Sequence, residues 1–167
     1  LGELETGAAT LGRAADLSLA LAARDFPAES SYGCEQRGLW WALQCKFMLA
    51  ETFYEQSRVP EALQLYVEYA VEAIARMIGL VAPSRPDQNT VGSSLMRYCL
   101  FLPRRLALSV WASALCLAQM NAVDLAGDMS SMAMRTATAL GIEDVRVATV
   151  EFCGRINVAL RDSKRPQ

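Results

Sequence analysis

RVPEALQLYVEYAVEAIARMIGL, from Arg58 to Leu80, carries the information that sets the fold class. Its interior polar residues are Glu61, Gln64, Glu68, Glu72 and Arg76, spaced three, four, four and four apart. At 3.6 residues per turn they form one narrow stripe, and Ala, Leu, Val, Tyr, Ile and Met fill the remaining circumference. A helix that is apolar around most of its surface needs neighbours on several sides. The pattern predicts the central helix of an all-α stack. Pro60 suits its first turn, where no intrahelical N–H bond is lost, Glu61 favours the positive end of its dipole, and Gly79 is the expected close.

The flanking chain is also helical in pattern. Residues 3–25 carry Leu4, Leu11, Ala14, Ala15, Leu17, Leu19 and Leu21 on a helical repeat, ended by Pro27. Ser30, Ser31 and Gly33 predict a turn, and a second helix follows from about 35 to 56. Its apolar face is Leu39, Trp40, Leu43, Phe47, Ala50 and Tyr54. Adjacent Trp40 and Trp41 must point about 100° apart, so at least one leaves this face. It either fills space between helices or anchors a partner. Ser57–Arg58–Val59 is the turn into the central helix. Beyond it, APSRPDQNT (82–90) is the clear loop.

A fourth helix is expected from Asn89 or Thr90 to about Gln119, with Pro103 either kinking it or dividing it in two. Arg97, Arg104 and Arg105 cluster around that proline. They form a solvated basic patch or a contact for an acidic partner or a phosphate. Asn121 then reads as the N-cap of a fifth helix, with Asp124 three residues on. The polar residues of that helix, Asn121, Asp124, Asp128, Ser131, Arg135 and Thr138, alternate at three and four, and Leu140–Gly141 closes it. Glu143 and Asp144 open the last helix, and 162–167 is a polar, frayed tail. The expectation is a single domain over 1–167 with six helices, or seven if Pro103 divides one. The Leu1 start fits a piece of a longer protein or a processed chain.

Composition narrows the function. Lys and Arg number 16 against 18 Asp and Glu, which gives no basic footprint for nucleic acid and no polybasic membrane tether. The longest apolar run, Leu106–Met120, is broken by Ser109, Ser113 and Gln119 and is short for a membrane span. The chain has no histidine, so it contains no Ser-His or Cys-His catalytic pair and no imidazole for zinc. The acid pairs Glu51/Glu55 and Asp124/Asp128 lack a histidine companion, and no glycine-rich phosphate loop occurs. No enzyme, cofactor or metal is expected. Cys34, Cys45, Cys99, Cys116 and Cys153 are widely spaced with no CxxC, as in a reducing, intracellular compartment, cytoplasmic or nuclear. A hydrophobic content of 53% leaves apolar surface that either packs as an Ala-rich and Leu-rich core or meets a partner.

The stretch Leu49–Tyr69 resembles a tetratricopeptide repeat. Leu49, Ala50 and Phe53 stand where that family places a small residue and then an aromatic late in its first helix. Ala62 and Tyr66 match the second helix at the family's spacing. Small residues let the two helices approach, and aromatics fill the gap beside them. Three positions depart from the pattern: Tyr69 replaces an alanine, Lys46 a frequent tryptophan and Ile74 the closing proline. A looser match uses Ala114, Leu117, Ala126 and Ala133. Ala50 to Ala114 and Ala62 to Ala126 share an offset of 64 residues, not the family's 34.

The resemblance implies antiparallel helical hairpins stacked as a short tetratricopeptide-like α-solenoid over about 33–140. It implies that Gln44, Phe47, Glu51, Tyr54 and Glu55 line a concave groove. These lack the lysine and asparagine that clamp a C-terminal carboxylate, and suit an apolar or basic helical segment. A second, shorter resemblance lies in MAMRTATALGIED (132–144), which is similar to a helix of the regulatory region of fungal zinc-cluster transcription factors and to endings in some bacterial sensor domains. Two functions follow as expectations. The first is a non-catalytic scaffold or adaptor that binds a helical or extended segment of another protein, or itself, through Gln44, Phe47, Glu51, Tyr54, Glu55 and Trp41, with Arg97, Arg104 and Arg105. The alternative is an all-helical ligand-sensing regulatory domain.

Overall fold

The computed structural model describes residues 2–22, 28–81 and 92–163. Among them the chain is all-helical, with six helices and no strand: α1 (Gly2–Ala22), α2 (Ala28–Glu55), α3 (Val59–Val81), α4 (Gly92–Gln119), α5 (Val123–Leu140) and α6 (Glu143–Ser163). Within each unit helices adjacent in sequence pack together, α1 on α2, α4 on α5 and α5 on α6, as expected when connections are short. The chain forms two compact units, Leu1–Tyr69 and Ala70–Gln167, whose boundary falls inside α3. The loop expected over 82–90 and the last residues, 164–167, lie outside the described residues.

In the first unit α1 packs on α2, and α2 meets α3 through an aromatic cluster. Phe47 sits edge-on to Tyr66 at 5.7 Å and to Tyr69 at 5.1 Å between ring centroids, and all three rings are buried. Ala50 and Ala62 are fully buried and let the two helices approach. Lys46 of α2 reaches Glu68 of α3 at 3.2 Å, and Gln64 donates to the same carboxylate. Both contacts hold Glu68 below the usual carboxylate range, the Gln64 bond first. The turn is locked by Arg58, whose guanidinium lies 4.1 Å from the Phe53 ring centre and whose Nε donates to Glu61 at 3.0 Å.

In the second unit α4 packs on α5, α5 on α6, and α4 also touches α6. Ala107, Ala137 and Val145 form the buried centre, with Leu108, Trp111 and Ile142 against it. Ser109, Ser113, Ser130 and Thr149 are buried too. Each hydroxyl donates to a carbonyl three or four residues back in its own helix, so none enters the core unpaired. From Leu102 to Ala118 every residue of α4 except Arg104 is buried or half-buried.

Several expectations are corrected. Of the two outcomes open at Pro103, a single helix is the one found: α4 runs unbroken from Gly92 to Gln119. Ser30, Ser31 and Gly33 belong to α2, which starts at Ala28, because serines are tolerated in a first turn as readily as in a loop. Helix α3 runs through Gly79 to Val81, and α6 continues to Ser163. Nor is α3 enclosed all round. Ala62, Tyr66, Tyr69 and Ala73 form its buried face, while Val67, Val71 and Ile74 on the opposite side are 39%, 62% and 46% exposed. In the second unit it is α4 that is enclosed.

Asn121 is not an N-cap. It takes a left-handed conformation, φ 62°, and terminates α4, while Ala122 precedes α5 with no side-chain cap. The same closure recurs at each described turn. Ser57 (φ 60°) donates its N–H to the Tyr54 carbonyl and Arg58 donates to Phe53. Asn121 donates to Ala118 and Ala122 to Leu117; Gly141 (φ 69°) donates to Thr138 and Ile142 to Ala137. These paired bonds satisfy carbonyls that the helix end leaves open. The first two turns are 64 residues apart, as are the starts and ends of the equally long α2 and α4. The buried faces agree as well: Ala62, Tyr66, Tyr69 and Ala73 on α3, and Ala126, Ser130, Ala133 and Ala137 on α5.

Candidate functional site

The nine residues singled out in the sequence fall into two sets, six on α2 in the first unit and three on α4 in the second. On α2 they divide by burial. Gln44 is 4% exposed, and its Nε2 has no hydrogen-bond partner among the described residues. Phe47 is spent on the Tyr66 and Tyr69 rings. Tyr54 is half-buried, and Glu51 and Glu55 are exposed.

Trp41 is 57% exposed. Trp40, half-buried, holds it edge-on with the ring centroids 4.9 Å apart, which fixes one side of the Trp41 indole and leaves the rest to solvent. Met48, seven residues on, is 44% exposed and falls on the same strip of the helix. Glu55 continues that strip and Glu51 flanks it. The structure therefore assembles an apolar pair, Trp41 and Met48, at one end of an exposed face, with two carboxylates at the other. The sequence reading missed Met48. Its signal was the seven-residue spacing from Trp41, obscured because the apolar periodicity of α2 was assigned to the Leu39–Leu43–Phe47–Ala50 side.

On α4, Arg104 is not a free cation. Its Nη2 and Nε donate to one oxygen of Asp144 in the first turn of α6, at 2.7 and 3.3 Å. The Arg104 bond is the chief reason that the Asp144 carboxyl titrates below its ordinary value. Glu143 beside it accepts from Arg146 and is lowered in the same way. Arg105 is half-buried, and the side chain of Arg97 lies outside the described residues. Arg104 thus staples α4 to α6.

Two of the described thiols are not poised for chemistry. Cys45 and Cys116 are buried, and burial raises both, Cys116 to about 11, so neither is a thiolate near neutrality. Cys153 is half-buried. No described helix is long and apolar enough to cross a membrane. No family model, curated protein or solved structure matches the chain.

Proposed function

We propose that the chain is a divergent tetratricopeptide-like module that binds a helical or extended segment of a partner protein through the exposed face of α2. The observation that carries this reading is Trp41, a tryptophan more than half exposed and oriented by a neighbouring ring, with Met48 beside it. Tryptophan is the residue most enriched among the anchors of protein interfaces, and methionine adapts to irregular apolar surfaces. Glu51 and Glu55 give the face a negative end, so the fitting ligand carries an apolar anchor followed by lysine or arginine. The recurrence of hairpin, turn and buried face after 64 residues supports the helical-repeat part of the proposal. The absence of histidine from the whole chain favours binding over catalysis.

The test uses two model helices of equal hydrophobicity, one Leu/Lys and one Leu/Glu, titrated by calorimetry and by tryptophan fluorescence. The basic helix is expected to bind and the acidic one not. Trp41→Ala should weaken binding about 30-fold, the size of an anchor residue, and Met48→Ala by less. Trp111→Phe, in the second unit, should leave it unchanged. Equal binding of the two peptides, or full affinity in Trp41→Ala, would refute the proposal.

A further inference from the structure

The exposed side of α5 carries a regular pattern of its own. Leu125, Asp128, Met132, Arg135 and Ala139 recur at three and four residues, the spacing of a two-helix seam. All five are exposed, Leu125 at 59% and Met132 at 44%. They point away from the buried face of Ala126, Ser130, Ala133 and Ala137. Asp128 and Arg135 make no ion pair among the described residues, unlike Arg104, Asp144, Glu143 and Arg146 of the same unit.

The order of these residues is self-complementary when reversed. Leu125 and Ala139 each lie seven residues from Met132. In an antiparallel pair with its two-fold axis at Met132, each large Leu125 therefore faces the small Ala139 of the other helix, and the two methionines meet on the axis. Asp128 lies four residues before Met132 and Arg135 three after it. At 1.5 Å rise per residue, Asp128 and the Arg135 of the second copy come within about 1.5 Å of each other along the axis. Both side chains span that easily, and the symmetry makes the ion pair twice. We infer that the chain forms a homodimer by antiparallel packing of α5 on the α5 of a second copy. A parallel arrangement would instead set Asp128 against Asp128 and Arg135 against Arg135. The charge order thus selects the closed two-fold pairing that most homodimers use. One helix pair is smaller than a standard interface, so the dimer is expected to dissociate in the range of about 10 to 100 micromolar.

Sedimentation equilibrium across that range tests the inference on the whole chain. The wild type should pass reversibly from monomer to dimer. Asp128→Arg and Arg135→Asp should each weaken the dimer about tenfold or more, by placing like charges in register. The double variant D128R/R135D should return most of the affinity, because the reversed pairs are again complementary. Circular dichroism of each variant checks that these exposed changes leave the helices folded. Met132→Cys, at the axis, should form a disulfide-linked dimer under mild oxidation faster than the wild type. A strict monomer, which would leave the strip to a different partner or to water, overturns the inference. So does a dimer that the single charge reversals leave intact, or a double variant no better than the singles.

Discussion

Ser57 and Gly141 adopt nearly the same backbone conformation at equivalent turns, φ 60° and 69°. Only one of them is the residue that the conformation favours. For an L-residue the left-handed region costs about 1 to 2 kcal/mol, which glycine does not incur. Ser57→Gly should therefore raise the stability of the first unit by about 0.5 kcal/mol, the relief of strain less the added entropy of an unfolded glycine. Gly141→Ala should lower the stability of the second by about 1 kcal/mol. A Cβ at Gly141 would meet nothing within 4 Å, so the loss reports conformation alone. Chemical denaturation reads both, and a neutral Gly141→Ala would contradict the assignment. Gly141 was legible in the sequence, because glycine after Ala-Leu is a common helix end. Asn121 was not. Asparagine serves both to start helices and to end them, and Asp124 three residues on imitates a capping box.

Periodicity told where the faces of each helix lie but not which face a neighbour takes. On α5 the expected stripe is exposed: Asp124, Asp128, Ser131, Arg135 and Thr138 all face solvent, as does Asn121 just before the helix. On α3 the same logic failed. The neighbour there is matched to Ala62, Tyr66, Tyr69 and Ala73, two small residues and two flat rings, and Val67, Val71 and Ile74 are left outside. Glu61 and Glu68 sit at the margin, half-buried, with partners to hold them. The α2 site was legible in the same partial way. Trp41, Glu51 and Glu55 face solvent, whereas Gln44 and Phe47, only three or four residues from Trp41 or Glu51, are buried. At Pro103 the sequence leaves two outcomes open, because a proline removes one hydrogen bond and crowds one carbonyl, and with Leu102, Leu106 and Ala107 buried around it the helix is continuous.

Across the molecule, acid is the expected weakness. Glu61, Glu68, Glu143 and Asp144 are all shifted below their ordinary values, by an own-backbone bond and Arg58, by Gln64 and Lys46, by Arg146, and by Arg104 respectively. A carboxyl that titrates lower when folded binds fewer protons in the folded state. Its contribution is complete above the unfolded pKa, about 4, and is lost as pH falls through the folded value. The melting temperature should be level above about pH 5 and fall below about pH 4. Glu68→Gln and Asp144→Asn should flatten that fall. A melting temperature that rises on acidification would contradict the assigned pairs. The all-α class and the six helices were visible in the sequence, since each depends on local pattern. The division into two units was not, because its boundary lies between Tyr69 and Ala70 inside a continuous helix, where no proline, glycine or polar run marks it.

The repeated left-handed closure has a kinetic consequence. The amides of Gln56, Ser57, Arg58, Met120, Asn121, Ala122, Gly141 and Ile142 all donate to carbonyls of the helix just ended. Deuterium enters a folded protein first where amides are unbonded, ordinarily at such bends. Here the amides that close each helix should exchange slowly, while the opening amides of the next helix, ahead of the first bonded ones at Ala62, Ala126 and Arg146, should take up deuterium first, so a labelling time course would place the weak point of each corner at the start of the following rod.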